Sequence, residues 1–314
     1  MSKPAHGPER PPVARVAASV VALVGVLAGT GCISWHAGTM PGEPRGARFA
    51  QVEGARVRYV DEGRGPVVVL LHGYASALET WNGVRPALVR AGYRVIALDL
   101  KGFGWTDRPE GDYSPQAQAR LVLALMQERG VDRAAVVAHS WGSSVALALA
   151  RLAPGRVSRL VLYDAFVYSE QVPTLFEWAR AGGLGEILFG LFYGERADER
   201  ITLAFYDPRY VTEPFVEDVE RALERPGTRA AALATARGMQ FSHAGELARR
   251  VTQPVLLLWG REDVVAPPEF GERLAADLPD ARLVTYARCG HFPMIEARAA
   301  STRALVTFLR EDER

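Results

Sequence analysis

The chain has 314 residues, enough for one sizeable domain with an insertion, and its 48% hydrophobic and 23% charged residues are the balance of a globular protein, not a disordered one. Lys and Arg total 37 against 36 Asp and Glu, a net charge of +1, so no basic field points to nucleic acid and no acidic tail to a cationic partner. Two cysteines, Cys32 and Cys289, and six scattered histidines show no metal-ligand spacing, so no metal is expected, and nothing else in the chain implies an organic cofactor.

Residues Met1–Arg15 carry Lys3, Arg10 and Arg15 against one acid, Glu9, and Val16–Trp35 then runs without a charge. A basic start before an apolar stretch is the pattern of a secretory signal. Ala28, Gly29, Thr30 and Gly31 lead directly to Cys32, and the arrangement resembles the lipobox of bacterial lipoproteins, whose cysteine becomes the acylated first residue. That pattern prefers a leucine-like residue three places before the cysteine, where this chain has Gly29. The apolar run is also long enough for a retained spanning helix, although its Ala, Gly, Ser and Thr content weakens it as an anchor. Residues 1–35 are therefore expected to be a signal, lipoprotein or membrane-anchor segment, with the remainder exported to the periplasm or beyond. His36–Gly46, rich in Gly and Pro, reads as a tether within a linker of residues 36–48.

Phe49–Val52 and Val57–Val60 read as a hairpin turning at Gly54. Val67–Leu71 is too uniformly apolar for a half-exposed strand and suits one buried on both faces of a parallel sheet. A helix over Ala77–Ala91, a buried strand at Tyr93–Leu98 and a helix over Gln116–Arg129 follow, the last with Leu121, Leu125 and Met126 on one face. Ala134–Ala138 is a strand, Val145–Leu152 a helix and Leu160–Leu162 a strand. Val255–Trp259 and Arg282–Thr285 are further strands, and Ala300–Leu309 is the last helix. Strands alternating with helices imply an α/β fold with a mostly parallel central sheet. Residues 166–250 interrupt the alternation with helical, aromatic-rich sequence, read as a helical insertion into a core of residues 49–165 and 251–314. Most of its aromatics are expected to pack the insertion itself, and a minority to line a pocket.

Strand Ala134–Ala138 ends in Ala138-His139-Ser140-Trp141-Gly142, and a helix begins at once. A sharp strand-to-helix turn that presents a strained serine needs small residues two before and two after it, which Ala138 and Gly142 supply. The helix N-terminus also favours negative charge at the serine. The bland alternative is a serine that merely caps the helix. Strand Val67–Leu71 runs into His72-Gly73-Tyr74, where the backbone N–H of Tyr74, with that of Trp141, is placed to bind an oxyanion. Asp263 follows strand Val255–Trp259, and His291 follows strand Arg282–Thr285, so serine, aspartate and histidine each stand at the carboxyl end of a strand, where sites gather in open α/β sheets. Histidine titrates near neutrality and can take the serine proton, and a buried carboxylate holds the imidazole in the right tautomer. Asp164, after strand Leu160–Leu162, is an alternative acid, and Glu262 a rival beside Asp263. His72 and His139 are expected to be structural, and Cys289 a small packing residue.

These segments resemble the α/β-hydrolase superfamily over roughly Phe49–Leu309. The matching residues are HGYAS at His72–Ser76, LDLKGFGWTDRP at Leu98–Pro109, AHSWGS at Ala138–Ser143, GREDVVAP at Gly260–Pro267 and GHFPMIE at Gly290–Glu296. The resemblance implies that the helical insertion is a cap over the active site and that Asp99, Gly102 and Gly104 are structural. Epoxide hydrolases and haloalkane dehalogenases use Asp at the elbow, and Ser140 argues against both. Ser140–Ser143 also resembles the elbow of proline iminopeptidases, but the HGGPG of that family is missing from His72–Ser76. The expected activity is therefore cleavage of a carboxylic ester or related acyl bond in a small to medium apolar substrate through an acyl-Ser140 intermediate. An iminopeptidase-like aminopeptidase, a cofactor-free haloperoxidase and a non-catalytic ligand-binding protein are the alternatives.

Overall fold

Eight strands form one sheet in a computed structural model that describes residues 33–312. Cys32 and all but the last three residues of the predicted leader lie outside the described residues. Among the described residues no helix is long and apolar enough to cross a membrane. Arg48–Val52 (β1) and Ala55–Glu62 (β2) are an antiparallel hairpin, and β2 pairs antiparallel with Arg94–Leu98 (β4). Val67–Leu71 (β3), Ala134–His139 (β5), Val157–Tyr163 (β6), Val255–Gly260 (β7) and Ala281–Tyr286 (β8) continue the sheet in parallel.

The uniformly apolar strands are buried on both faces, as their composition predicts. Val69 and Leu71 of β3 face one core layer, and Val68 and Leu70 face the other, because successive side chains of a strand point to opposite sides. Pro115–Glu128 (α2) and Trp141–Leu152 (α3) cover the first face, with Leu121, Leu125 and Met126 turned inward. The helix expected over Ala77–Ala91 is instead a single 3-10 turn at Leu78–Trp81 followed by Arg85–Arg90 (α1). Asn82 and Gly83 propagate a helix poorly, and Pro86 is tolerated only in the first turn, where α1 begins.

Between β6 and β7 the chain leaves the sheet as Thr174–Trp178 (α4), Leu184–Phe192 (α5), Ala197–Leu203 (α6), Glu213–Glu224 (α7), Thr228–Gly238 (α8) and Ala244–Ala248 (α9). Ala179, Phe189, Ala232, Leu233 and Ala236 form a small core of their own here. Burying Phe189 contributes about 1.5–3 kcal/mol to holding α5 on α8. Phe166 and Tyr168 pack with the sheet layer instead, whereas Trp178, Phe192, Tyr206 and Tyr210 are exposed. Pro268–Asp277 (α10), Pro293–Glu296 (α11) and Arg298–Leu309 (α12) complete the core.

The Gly- and Pro-rich stretch read as a tether lies against the domain. His36 pairs with Arg108 in a β-bridge, Gly38 N–H donates to Asp107 Oδ1 at 2.9 Å, and Met40 is fully buried. Backbone hydrogen bonds to the Asp107–Arg108 loop hold this stretch, a tertiary contact that composition does not encode.

Candidate active site

Strand β5 delivers Ser140 at φ 51° and ψ −126°, a left-handed strained conformation imposed by the turn into α3. The backbone around it is pinned: Ser140 N–H donates to Tyr163 O (2.9 Å), and Ser140 O accepts from Ser143 N–H (2.9 Å) and Phe166 N–H (3.1 Å). The hydroxyl makes no capping bond to α3, which removes the helix-cap reading. A Cβ on Gly142 would run into the carbonyl oxygen of His72, and one on Gly73 would come within 3.0 Å of Ser140 Cβ. The elbow and the loop after β3 therefore pack closely: a side chain at Gly142 would collide with backbone, and one at Gly73 would crowd Ser140 and His139.

That loop carries Tyr74. Neither its N–H nor that of Trp141, the first residue of α3, meets an acceptor among the described residues. His72 holds the loop in place. Its Nε2 accepts from Leu100 N–H (2.9 Å), so Nδ1 carries the proton and donates to Gly73 O (2.7 Å). Complete burial pushes the His72 pKa down, and the ring stays neutral. Asp99 anchors the next loop by accepting from Leu78 N–H and Trp105 N–H, each at 2.8 Å.

The loops after β7 and β8 bring Asp263 and His291 together. Asp263 Oδ2 lies 2.7 Å from His291 Nδ1, and its Oδ1 accepts from Val265 N–H (2.8 Å) and Ala266 N–H (2.9 Å). Three hydrogen bonds thus compensate a carboxylate whose side chain is 0% exposed. His139 couples the histidine loop to the elbow. Its Nε2 bonds the His291 carbonyl oxygen at 2.8 Å, and the two rings are 4.8 Å apart. Burial, with His291 beside it, pushes the His139 pKa well below the usual value, so it is a neutral donor. No hydrogen bond joins Ser140 Oγ to His291 Nε2 in this structure. In unliganded enzymes such contacts are commonly long and close only around substrate.

Asp164, the alternative acid, does not reach the imidazole as a hydrogen-bond partner. Its backbone has φ 43°, its Oδ1 accepts from Gly260 N–H at 2.8 Å, and its buried Oδ2 has no partner in the hydrogen-bond geometry. Asp164, Asp263 and His291 nevertheless lie within 4.8 Å of one another. Burial and the Asp263 charge push the Asp164 pKa well above the usual carboxylate range. Asp164 is thus the member of the pair pushed toward its protonated form, because two adjacent carboxylates cannot both ionise in a dry site. Glu262 faces the other way and accepts from Cys289 N–H (2.9 Å), joining the two loops. Cys289 is a free, buried thiol whose pKa burial pushes up.

Two groups that hold the site were not singled out in the sequence. Glu296 accepts from Gly290 N–H (2.8 Å) and from Asp207 N–H of the helical insertion (2.9 Å). His291 N–H donates to Ala204 O at 2.7 Å, and Phe205 stacks on Phe292 at 4.7 Å. The segment after α6 is thus strapped to the histidine loop. Glu296 closes the GHFPMIE segment, but nothing in that string says which N–H groups it meets. On the nucleophile side an aromatic path runs from Trp141 to Phe103 (5.8 Å), Tyr74 (5.5 Å) and Phe176 of the cap (5.2 Å).

Residues 66–298 match the α/β-hydrolase fold family. The chain is 31% identical over 267 residues to a 2-hydroxy-6-oxononadienedioate/2-hydroxy-6-oxononatrienedioate hydrolase of Burkholderia vietnamiensis, an alignment covering 81% of this chain and 91% of the relative. A meta-cleavage product hydrolase of Pseudomonas fluorescens superposes with a TM-score of 0.72 at 28% identity, over 84% of this chain and 98% of that one. A thermophilic esterase of Thermogutta terrifontis superposes with a TM-score of 0.71 at 26% identity, over 84% and 97%. The chain belongs to the α/β-hydrolase family, and it is a hydrolase.

Proposed function

We propose that the protein is a serine hydrolase that cleaves a carboxylic ester or related acyl bond through an acyl-Ser140 intermediate. The reading rests on one juxtaposition: an uncapped, strained serine beside two free backbone N–H groups, with a carboxylate–imidazole pair on the adjoining loops. Ser140 Oγ attacks the carbonyl carbon while His291 Nε2 takes its proton, Asp263 stabilising the imidazolium. The oxyanion receives the N–H groups of Tyr74 and Trp141, preorganised by the glycine contacts and therefore costing no reorganisation. Collapse expels the alcohol, which takes the proton from His291. Water then attacks the acyl carbon, giving its proton to His291, and the acid leaves as Ser140 recovers the proton.

Several relatives are named as hydrolases of 2-hydroxy-6-oxo dienedioates and trienedioates, and action on such a dicarboxylate is the second reading. The aromatic path from Trp141 to Phe176 beside the elbow is compatible with an apolar acyl or alcohol group. Turnover of p-nitrophenyl butyrate that vanishes in Ser140→Ala, together with fluorophosphonate labelling of Ser140, supports the reading. Retained turnover in that variant refutes the nucleophile. A panel of ester, amide, lactone and 2-hydroxy-6-oxo-dienoate substrates separates the two readings. Export, with residues 1–35 acting as a signal, lipoprotein or membrane-anchor segment, is part of the same proposal, and the mass of the mature N-terminus distinguishes an acylated Cys32 from an uncleaved start.

A further inference from the structure

Helix α5 (LGEILFGLF) is apolar on nearly every side, its one charge, Glu186, being paired with Arg237 at 2.8 Å. A helix of that composition belongs in a core. Phe189 and Gly185 do face the cap core, but Leu184, Ile187, Leu191 and Phe192 stand 44%, 49%, 45% and 49% exposed. Trp178, at the end of the preceding α4, is 59% exposed. One cap surface therefore presents an apolar face of the kind that marks a docking site.

The chain itself indicates what covers it. Ile33, the first described residue, packs against the same cap core that Phe189 enters from α5. The charge-free stretch Val16–Gly31 ends two residues earlier, a span of at most about 7 Å of extended chain. From Ile33 onward there is no slack, because Trp35 stacks on Tyr113, His36 is bridged to Arg108 and Met40 is buried. Whatever holds Val16–Gly31 or an acylated Cys32 is thereby kept close to the small core on which α5 packs.

We propose that this occupant is a lipid bilayer: the N-terminal segment inserts in it, and the exposed face of α5, with Trp178, lies in its interface. Leu, Ile, Phe and Trp at the acyl boundary supply the apolar area that interfacial helices bury. The cap, and with it the aromatic path to Ser140, would face the phase in which apolar esters concentrate.

The test uses the full chain with vesicles of phosphatidylcholine and phosphatidylglycerol, read by flotation and by hydroxyl-radical oxidation of side chains. Oxidation of Trp178, Leu191 and Phe192 is expected to fall severalfold on adding vesicles, while that of Leu152, an exposed residue of α3, stays constant. The double variant Ile187→Glu/Leu191→Glu, changed only at exposed positions, is expected to float still but to lose that protection at Trp178 and Phe192. The proposal is overturned if the full chain does not float, or if it floats with unchanged oxidation of α5. It is also overturned if α5 is already protected without vesicles, which would mean that residues 16–31 or a second copy cover it.

Discussion

The two buried aspartates make opposite predictions. Asp263 bonds the imidazole at 2.7 Å and is held by two backbone N–H groups, so Asp263→Asn keeps the shape and removes the charge that fixes the His291 tautomer. Loss of that orientation costs about 10⁴-fold in kcat, or about 5.5 kcal/mol at 1.36 kcal/mol per tenfold. Asp164 is the neutral member of the pair. An asparagine there keeps the oxygen that accepts from Gly260 N–H and turns an N–H toward Asp263, so Asp164→Asn is expected to cost less than about tenfold. Initial rates of p-nitrophenyl butyrate hydrolysis, with circular dichroism to establish that both variants are folded, measure the contrast. A folded Asp164→Asn as inactive as Asp263→Asn would refute the assignment of charge and proton. The same pair sets a stability profile. Because the Asp164 pKa is raised, the folded state keeps a proton that the unfolded chain releases above about 3.8, and this contribution is lost as pH rises from there. Asp164→Asn should flatten that part of the urea-unfolding profile, and an unchanged slope would refute it.

His139 carries the opposite sign: its pKa is lowered, so its contribution is present above the ordinary 6.5 and is lost as pH falls below it. Thermal unfolding of His139→Gln should therefore lose less stability than the parent on acidification below that value. Gly142→Ala places a methyl group against the His72 carbonyl and should separate the elbow from the loop carrying Tyr74. Fluorophosphonate labelling of Ser140 is expected to fall by orders of magnitude, with a smaller loss in melting temperature. Glu296→Ala leaves the Gly290 and Asp207 N–H groups without their acceptor, at about 1–3 kcal/mol each if they stay dry. Lower thermal stability together with lower kcat is expected, with partial recovery in Glu296→Gln, which retains one acceptor; activity equal to the parent in Glu296→Ala would refute the strap.

Local chemistry is written in the chain wherever it depends on short-range pattern. Uniform apolar runs such as Val67–Leu71 announced doubly buried strands, and the small pair Ala138 and Gly142 around Ser140 announced a strained elbow, because these follow from side-chain period and backbone sterics. The order Ser140, Asp263, His291 after strands β5, β7 and β8 was legible for the same reason. What the strings could not carry is pairing across distance. Whether Asp263 or Asp164 meets the imidazole was open in the sequence, since both follow sheet strands, and it is decided by loop geometry that turns Oδ2 of Asp263 onto Nδ1 and leaves Asp164 to keep a proton. The docking of His36–Met40, the break after Trp81 and the strap from Glu296 to Asp207 likewise depend on which backbone groups meet in three dimensions. Composition sets what a segment can do alone, but a buried hydrogen bond is settled only by the partner that the fold brings to it.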